Sequence, residues 1–313
     1  MLKRCFFVFI LFVVIPFNFK VEASSLGPSG GLLNSGKNGV DTFLIAVVPP
    51  PGFYLIDYTF FYSAHKFKGY GGEELKKPPF GGFSMEYYGN VIRPVFVSEK
   101  RFLGAVVGMD MGIPLVHKHL KSHSFNASNG GLGDIGICPV WLAWPGRIFH
   151  VIFSADFFLP TGEYDKRDIA NLGNNHYIFE PLLGVTAFLP RGFNVSMGLM
   201  YDIHSKNHDY IDPRTGKDTW YRPGHNLHID YSIGYQATRN FQVGINGYYW
   251  EDVTDDEMGG EKIKDSRGQA FSIGPGLIFN TGKLSVTLKS QFETSVKNRP
   301  QGNITWLKLI YAF

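Results

Sequence analysis

Over much of this chain, side-chain character flips at every second position. Tyr54, Ile56, Tyr58, Phe60 and Tyr62 are apolar or aromatic, and Asp57, Thr59 and Ser63 occupy the alternate register. Phe149, Val151, Phe153, Ala155 and Phe157 alternate with His150, Ser154 and Asp156. Phe193, Val195, Met197, Leu199 and Tyr201 alternate with Asn194, Ser196 and Asp202, and Leu227, Ile229, Tyr231, Ile233 and Tyr235 alternate with His228, Asp230 and Ser232. Leu284, Val286 and Leu288 alternate with Ser285, Thr287 and Lys289. Successive side chains on a strand point to opposite sides, so a period of two predicts strands with one polar and one apolar face. About twelve such segments are expected, at about ten residues per tilted membrane strand. They fall near 52–65, 81–97, 102–113, 132–144, 148–159, 175–189, 193–205, 225–237, 240–252, 267–280, 283–294 and 302–313.

The connectors add a second regularity. Those at 98–101, 145–147, 190–192, 238–240 and 281–282 are tight, whereas those at 66–80, 114–131, 160–174, 206–224, 253–266 and 295–301 are mostly long and polar. Short and long alternate, as in a barrel with short periplasmic turns and longer outer loops. The fold expected is therefore all-β: a transmembrane antiparallel β-barrel of about 12 strands, within a range of about 10 to 14, with both termini periplasmic. The last alternating segment ends on Phe313, the kind of terminal aromatic that the outer-membrane assembly machinery reads. Tyr87, Tyr177, Tyr201, Tyr231, Tyr249 and Tyr311 fall on the expected lipid face as girdle candidates.

Composition narrows the compartment. Lys3 and Arg4, an apolar run from Cys5 to Phe17 and the small-residue site around Ala23 form a secretory leader, which predicts a mature chain starting at Ser24. That run is short for a membrane helix, which takes about 20 apolar residues. With Cys5 in the leader, Cys138 is the single cysteine of the mature chain, so no intrachain disulfide can form. A formal net charge of +3 gives no basic stripe for nucleic acid. The organisation expected is a signal peptide over 1–23, a periplasmic or plug-like segment over 24–48 and the barrel over 49–313.

Candidate chemistry is sparse. His150, Ser154 and Asp156 share one face of a strand, but residues stacked along one strand do not converge as a catalytic triad must. His117, His119 and His123 fall in one expected outer loop, with His204 and His208 near another, and Lys118 and Lys121 are interleaved among the first three. These read as solvated histidines rather than metal ligands. Asp252, Asp255, Asp256 and Glu257 form an acidic cluster at an outer strand end that fits no calcium loop. No catalytic residue, metal or cofactor is expected. The candidate functional surface is the lumen, with Asp57, Glu86, Asp110, Asp134, Asp156, Glu180, His228, Asp230, Asp252, Gln291 and Glu293 expected to point inward, among glycines such as Gly104, Gly198 and Gly244.

Several segments resemble one family. Leu159-Pro160-Thr161-Gly162-Glu163-Tyr164-Asp165 followed by Asn171-Leu172-Gly173-Asn174-Asn175 is similar to an "LPTGxYD…NLGxN" run. Pro50-Pro51-Gly52-Phe53-Tyr54, Gly133-Asp134-Ile135-Gly136, Gly247 to Asp256 and Gly274-Pro275-Gly276 resemble further motifs in the same order. The family is the meta-pathway phenol-degradation group of outer-membrane proteins. One departure is Asp252, where the family more often has Gln. The resemblance implies an outer-membrane protein that helps hydrophobic solutes across, and no enzyme activity. The reading is a channel or transporter passing a small hydrophobic or aromatic solute by passive diffusion. The alternatives are a closed-lumen structural barrel with binding outer loops and, third, a lipid-hydrolysing barrel enzyme. Expected partners are outer-membrane lipid and lipopolysaccharide, the barrel-assembly machinery through Phe313, and a small hydrophobic solute.

Overall fold

The computed structural model describes residues 38–313. The leader expected over 1–23, and the expected N-terminal segment up to residue 37, lie outside the described residues. The strands are β1 (Gly52–Phe67), β2 (Ser84–Phe102), β3 (Ala105–Lys121), β4 (Asn126–Leu132), β5 (Gly136–Pro145), β6 (Phe149–Phe158), β7 (Ile178–Phe188), β8 (Phe193–His204), β9 (Asn207–Ile211), β10 (Asp218–Arg222), β11 (Asn226–Thr238), β12 (Phe241–Asp252), β13 (Glu257–Met258), β14 (Glu261–Lys262), β15 (Gln269–Thr281), β16 (Leu284–Lys297) and β17 (Pro300–Ala312). Thirteen of them form one antiparallel sheet, which closes where β17 pairs with β1, Tyr54 lying opposite Ala312 and Phe67 opposite Pro300. β4 and β5 share one place in the wall, because β3 pairs with β4 along Leu115–Lys121 and with β5 along Val106–Gly112. The result is a closed barrel of twelve wall positions with no free edge.

The outward face is apolar. Phe149, Phe153, Phe157, Met197, Ile233 and Ile245 are exposed there, a belt that water would disfavour and lipid tails accept. The interior holds many buried polar side chains joined by hydrogen bonds, such as Thr186 with Ser196 and Asn194 with Gln242. Desolvated polar atoms need such partners, and the pleat delivers them by turning every second side chain inward.

The structure differs from the sequence expectation in three places. The β2–β3 turn is Leu103–Gly104, not 98–101, and both residues have positive φ (49° and 78°), as a tight two-residue hairpin turn requires. Gly104 is therefore a turn residue rather than a lumen residue. The connector expected over 114–131 is the upper half of β3, a short turn and β4, so His117 and His119 stand on the wall; the last connector likewise shrinks to Asn298–Arg299. Third, the loops after β8 and β12 build their own four-stranded sheet, in the order β14-β13-β10-β9.

β1 and β2 also reverse the expected faces. Tyr58, Phe60 and Tyr62 are buried inside the barrel, whereas Phe53 and Phe61 are exposed outside. Asp57 shares the register of Phe53 and Phe61, so it faces outward. On β2, Met85 is buried and Glu86 is exposed, so Glu86 too stands on the outer face and Tyr87 turns inward, its ring 5.0 Å from that of Phe60. Asp57 and Glu86 are not lumen residues. Both faces of these strands carry aromatic groups, and alternation alone does not say which face is which.

Candidate functional site

Residues 38–48 run inside the barrel, and the wall holds them through their backbone. Gly39 N donates to Asp230 Oδ1 (2.8 Å), Leu44 N to Ser196 Oγ (3.1 Å) and Ala46 N to Thr186 Oγ1 (3.2 Å). Lys289 Nζ donates to Val40 O (2.6 Å), Ser232 Oγ to Thr42 O (2.9 Å) and Gln291 Nε2 to Gly39 O (3.0 Å). An irregular segment cannot satisfy its own backbone, so polar lumen side chains do this in place of water. Lumen glycines make the room. A Cβ on Gly276 would stand 2.5 Å from the Phe43 ring, one on Gly244 2.7 Å from it, and one on Gly198 would collide with Ile45.

The segment divides the interior into two chambers. The chamber on the extracellular side has a cavity volume of about 160 Å³ and is rich in aromatic groups, including Phe60, Tyr62, Tyr87, Phe158 and Trp306. The periplasmic one has a cavity volume of about 150 Å³ and is lined largely by apolar groups, including Val48, Val95, Trp141, Ile152 and Ile310. Both chambers are lined by Val40, Asp41, Tyr58, Arg93, Asp110 and Asp156.

At that junction the charges are tightly paired. Arg93 binds Asp110 through two nitrogens (Nε 2.7 Å, Nη2 3.0 Å) and Asp41 through Nη1 (2.8 Å). Lys308 Nζ reaches the other Asp41 oxygen at 2.6 Å, and the Tyr58 hydroxyl donates to that same oxygen at 2.9 Å. The fork geometry of arginine suits two carboxylates at once. Asp41 is thus the latch that fastens the inner segment to β1, β2 and β17.

Other expected lumen residues take different posts. Asp134 sits in the break between β4 and β5, where its carboxylate accepts from Gly162 N (2.9 Å) and Asn174 N (2.8 Å). Thr161 Oγ1 accepts from Ile135 N at 2.9 Å, and Lys118 Nζ donates to Asn171 O at 2.5 Å. The loop over 159–177 is therefore folded back onto the gap in the wall. Asp156, Glu180, His228 and Asp230 are buried on the inner face, and Asp252 accepts from Gly268 N at 2.8 Å. Glu293 gathers the hydroxyls of Tyr62 (2.8 Å) and Tyr248 (2.5 Å).

The remaining candidate groups separate. Ser154 Oγ donates to Asp156 Oδ2 (3.4 Å), whereas His150 packs against Phe188, roughly 13 Å further along the strand at about 3.3 Å per residue. These three do not form a triad. In the acidic cluster, Asp255 pairs with Arg267, Glu257 with Arg222, and Asp256 with the Tyr221 hydroxyl (2.7 Å), so its members are taken up one by one. Burial raises Asp256 to about 6, with the Tyr221 and Gly224 hydrogen bonds opposing the rise. Of the histidines, His117 bonds Ser128 and His119 bonds Asn126 on the wall, while His204 points inward to His176 (3.0 Å). Burial pushes His176 down to about 4. Arg93, Lys289 and Lys308, the cations that hold the inner segment, were not expected as site residues. Lys289 and Lys308 had a visible signal, since each is a lone cation inside an alternating strand.

These features define a bacterial outer-membrane β-barrel with a segmented lumen. The family model described as "Putative MetA-pathway of phenol degradation" matches residues 64–309, and the chain belongs to that family. Among solved structures it is similar to the COG4313 outer membrane channel from Pseudomonas putida F1, with a TM-score of 0.78, 14% identity, 88% of this chain covered and 100% of that one. It is also similar to the transport unit of the autotransporter AIDA-I from Escherichia coli, with a TM-score of 0.53, 12% identity, 92% of this chain covered and 99% of that one. No curated protein matches the chain in sequence.

Proposed function

We propose that this barrel is an outer-membrane channel for a small aromatic or hydrophobic solute, gated by its own residues 38–48. The observation that carries the reading is the pair of chambers meeting at Asp41, Arg93 and Lys308. An aromatic-rich chamber on the extracellular side favours ring-bearing solutes by stacking and edge contacts. The apolar chamber below receives the solute once the latch moves. Transport is passive, since nothing in the sequence resembles an energy-coupling motif. Membership of a family linked to aromatic degradation supports the solute class.

Liposome uptake of phenol-sized aromatics against sugars of similar size tests this reading. Faster aromatic uptake is expected, and equal rates would refute the selectivity. The backbone ties that hold residues 38–48 in the lumen favour a second reading, a structural barrel that never opens. Planar-bilayer recording separates the two. The channel reading expects conductance to rise by about tenfold or more when Asp41→Ala undoes the latch, an effect of about 1.4 kcal/mol on the open state. A silent bilayer for both proteins supports the closed barrel.

A further inference from the structure

Beside Asp156, which lines both chambers, a row of inward side chains is left unused by the solute path. Asp156 on β6 lies opposite Glu180 on β7. Glu180 and Asp202 of β8 are bracketed by the pairs Phe179–Ile203 and Leu182–Met200. Asp202 lies opposite Asn226 of β11, and His228 follows two residues along the same face. A carboxylate oxygen of Glu180, one of Asp202 and a ring nitrogen of His228 all lie within 4.8 Å of one another. The three residues are 1%, 1% and 0% exposed. Donors about 2.1 Å from a shared tetrahedral ion stand about 3.4 Å apart, so small side-chain movements bring these three onto one ion.

Asn226 supplies an independent observation. The Asn174 carbonyl can only accept, so the His176 Nδ1 that lies 3.0 Å away carries the proton. His176 Nε2 must then accept from His204 Nδ1, also at 3.0 Å, which leaves His204 Nε2 to accept from Asn226 Nδ2 at 3.0 Å. This relay fixes the Asn226 amide with its nitrogen towards His204 and its oxygen away from it, on a residue paired across the sheet with Asp202 and two positions from His228. That oxygen is buried and receives no hydrogen bond, in a residue only 3% exposed. A buried amide oxygen held without a donor is a costly arrangement that a cation would relieve.

We propose that Glu180, Asp202 and His228, with the Asn226 side-chain oxygen, bind a divalent transition-metal ion of the Zn²⁺ type. Two carboxylates this close in a dry wall need compensating positive charge, and a divalent ion supplies it in full. An imidazole among oxygen donors favours zinc and its neighbours over calcium, which takes six to eight oxygens. The ion would clasp β7, β8 and β11 together beside the two chambers. It would be a structural site, separate from the proposed solute path.

The test uses the mature barrel carrying no histidine tag, refolded in detergent, stripped with chelator and dialysed against ZnCl₂. Elemental analysis is expected to find about one zinc per chain. The Glu180→Gln/Asp202→Asn double variant should bind roughly tenfold more weakly or worse by calorimetry, and His117→Ala/His119→Ala should match the wild type. Heat-modifiable gel migration reports that each variant is folded. Should the double variant fail to fold, Co²⁺ loaded into the wild type provides the readout, as a visible spectrum and a shifted imidazole proton resonance that His228→Asn abolishes. Wild type without stoichiometric zinc, zinc retained undiminished by the folded double variant, or calcium bound in preference to zinc would each overturn the proposal.

Discussion

Along β1, β2 and β17 the lumen side carries Tyr58, Phe60, Tyr62, Val95, Val97 and Trp306, while the lipid side includes Asp57, Thr59, Asn90 and Thr305. Along β6, β7, β8 and β11 the arrangement is opposite. There the lumen side carries Asp156, Glu180, Asp202, His228 and Asp230, and the lipid side Phe153, Phe157, Leu183, Leu199 and Ile233. Both halves obey the same pleat. What differs is the medium on the inner side: one half faces open chamber, the other packs against the inner segment and a polar network. Alternation is set by backbone geometry, whereas its sign is set by what each face meets.

The sharpest way to break this contrast is at the latch, where the aromatic half reaches the inner segment. Arg93→Met leaves the Asp110 carboxylate buried without its counter-charge, while half-buried Asp41 keeps Lys308. Because Arg93 and Asp41 are partly exposed and Asp41 keeps Lys308, the cost falls at the lower end for such networks, about 3 kcal/mol. Urea unfolding in lipid vesicles is expected to show a loss of this order. An unchanged midpoint would mean that water, not Arg93, satisfies the two carboxylates.

A smaller effect is expected on the lipid face of the same half. Asn90 Nδ2 donates to Asp57 Oδ1 (3.1 Å) and to Thr59 Oγ1 (2.8 Å), so polar groups facing lipid satisfy one another. Asn90→Leu alone leaves Asp57 with only the Thr59 hydroxyl as a side-chain donor (3.2 Å), at about 1–3 kcal/mol. Asp57→Leu with Asn90→Leu removes both needs together and should leave stability within about 1 kcal/mol of wild type. The same vesicle assay reads both. A double variant less stable than the single would show that Thr59, bonded to both, depends on the pair.

Trp306→Ala sharpens the functional side of the comparison. It opens the aromatic chamber and should slow aromatic uptake by a few-fold, since one aromatic contact is worth about 0.5–1.5 kcal/mol. Glu180→Gln, in the acidic half, should leave uptake unchanged. Equal effects of the two would mean that the chambers do not set selectivity.

These comparisons also explain what the sequence could reveal. The strand count, the antiparallel order and the closing pair followed from alternation and connector length, because both are local. The inner faces of β6, β7, β8 and β11 were readable because a greasy outer face in lipid leaves one assignment for Asp156, Glu180 and Asp230. Asp57, Glu86 and Tyr87 were misplaced because the interior beside β1 and β2 is itself apolar. The latch was hidden for another reason. Arg93, Lys308 and Asp41 meet only after distant segments close the ring and a non-strand segment enters it, and no spacing records that. His117 and His119 moved from loop to wall because β3 and β4 continue past the expected strand end, with polar side chains outside the lipid.

The opposition between regions extends to the extracellular end, where it can be read by pH. His176, in the loop folded over the wall break, has a folded value of about 4, below the ordinary imidazole value of 6.5, because burial disfavours its charged form. Its contribution is present above pH 6.5 and is lost as pH falls towards 4. Asp256, in the turn before β13, has a folded value of about 6, above the carboxylate reference of 3.8, again through burial. Its contribution is complete below 3.8 and is lost as pH rises through 6. Going from pH 7.5 to pH 5 should therefore weaken the 159–177 loop by about 2 kcal/mol and strengthen the small extracellular sheet by about 1 kcal/mol. Hydrogen exchange, corrected for intrinsic rates, should show protection falling around 159–177 and rising around 218–224 and 256–263. His176→Gln should remove the first response alone and Asp256→Asn the second alone. Two regions responding in the same direction would mean that a single global opening, and not these two buried groups, governs the extracellular end.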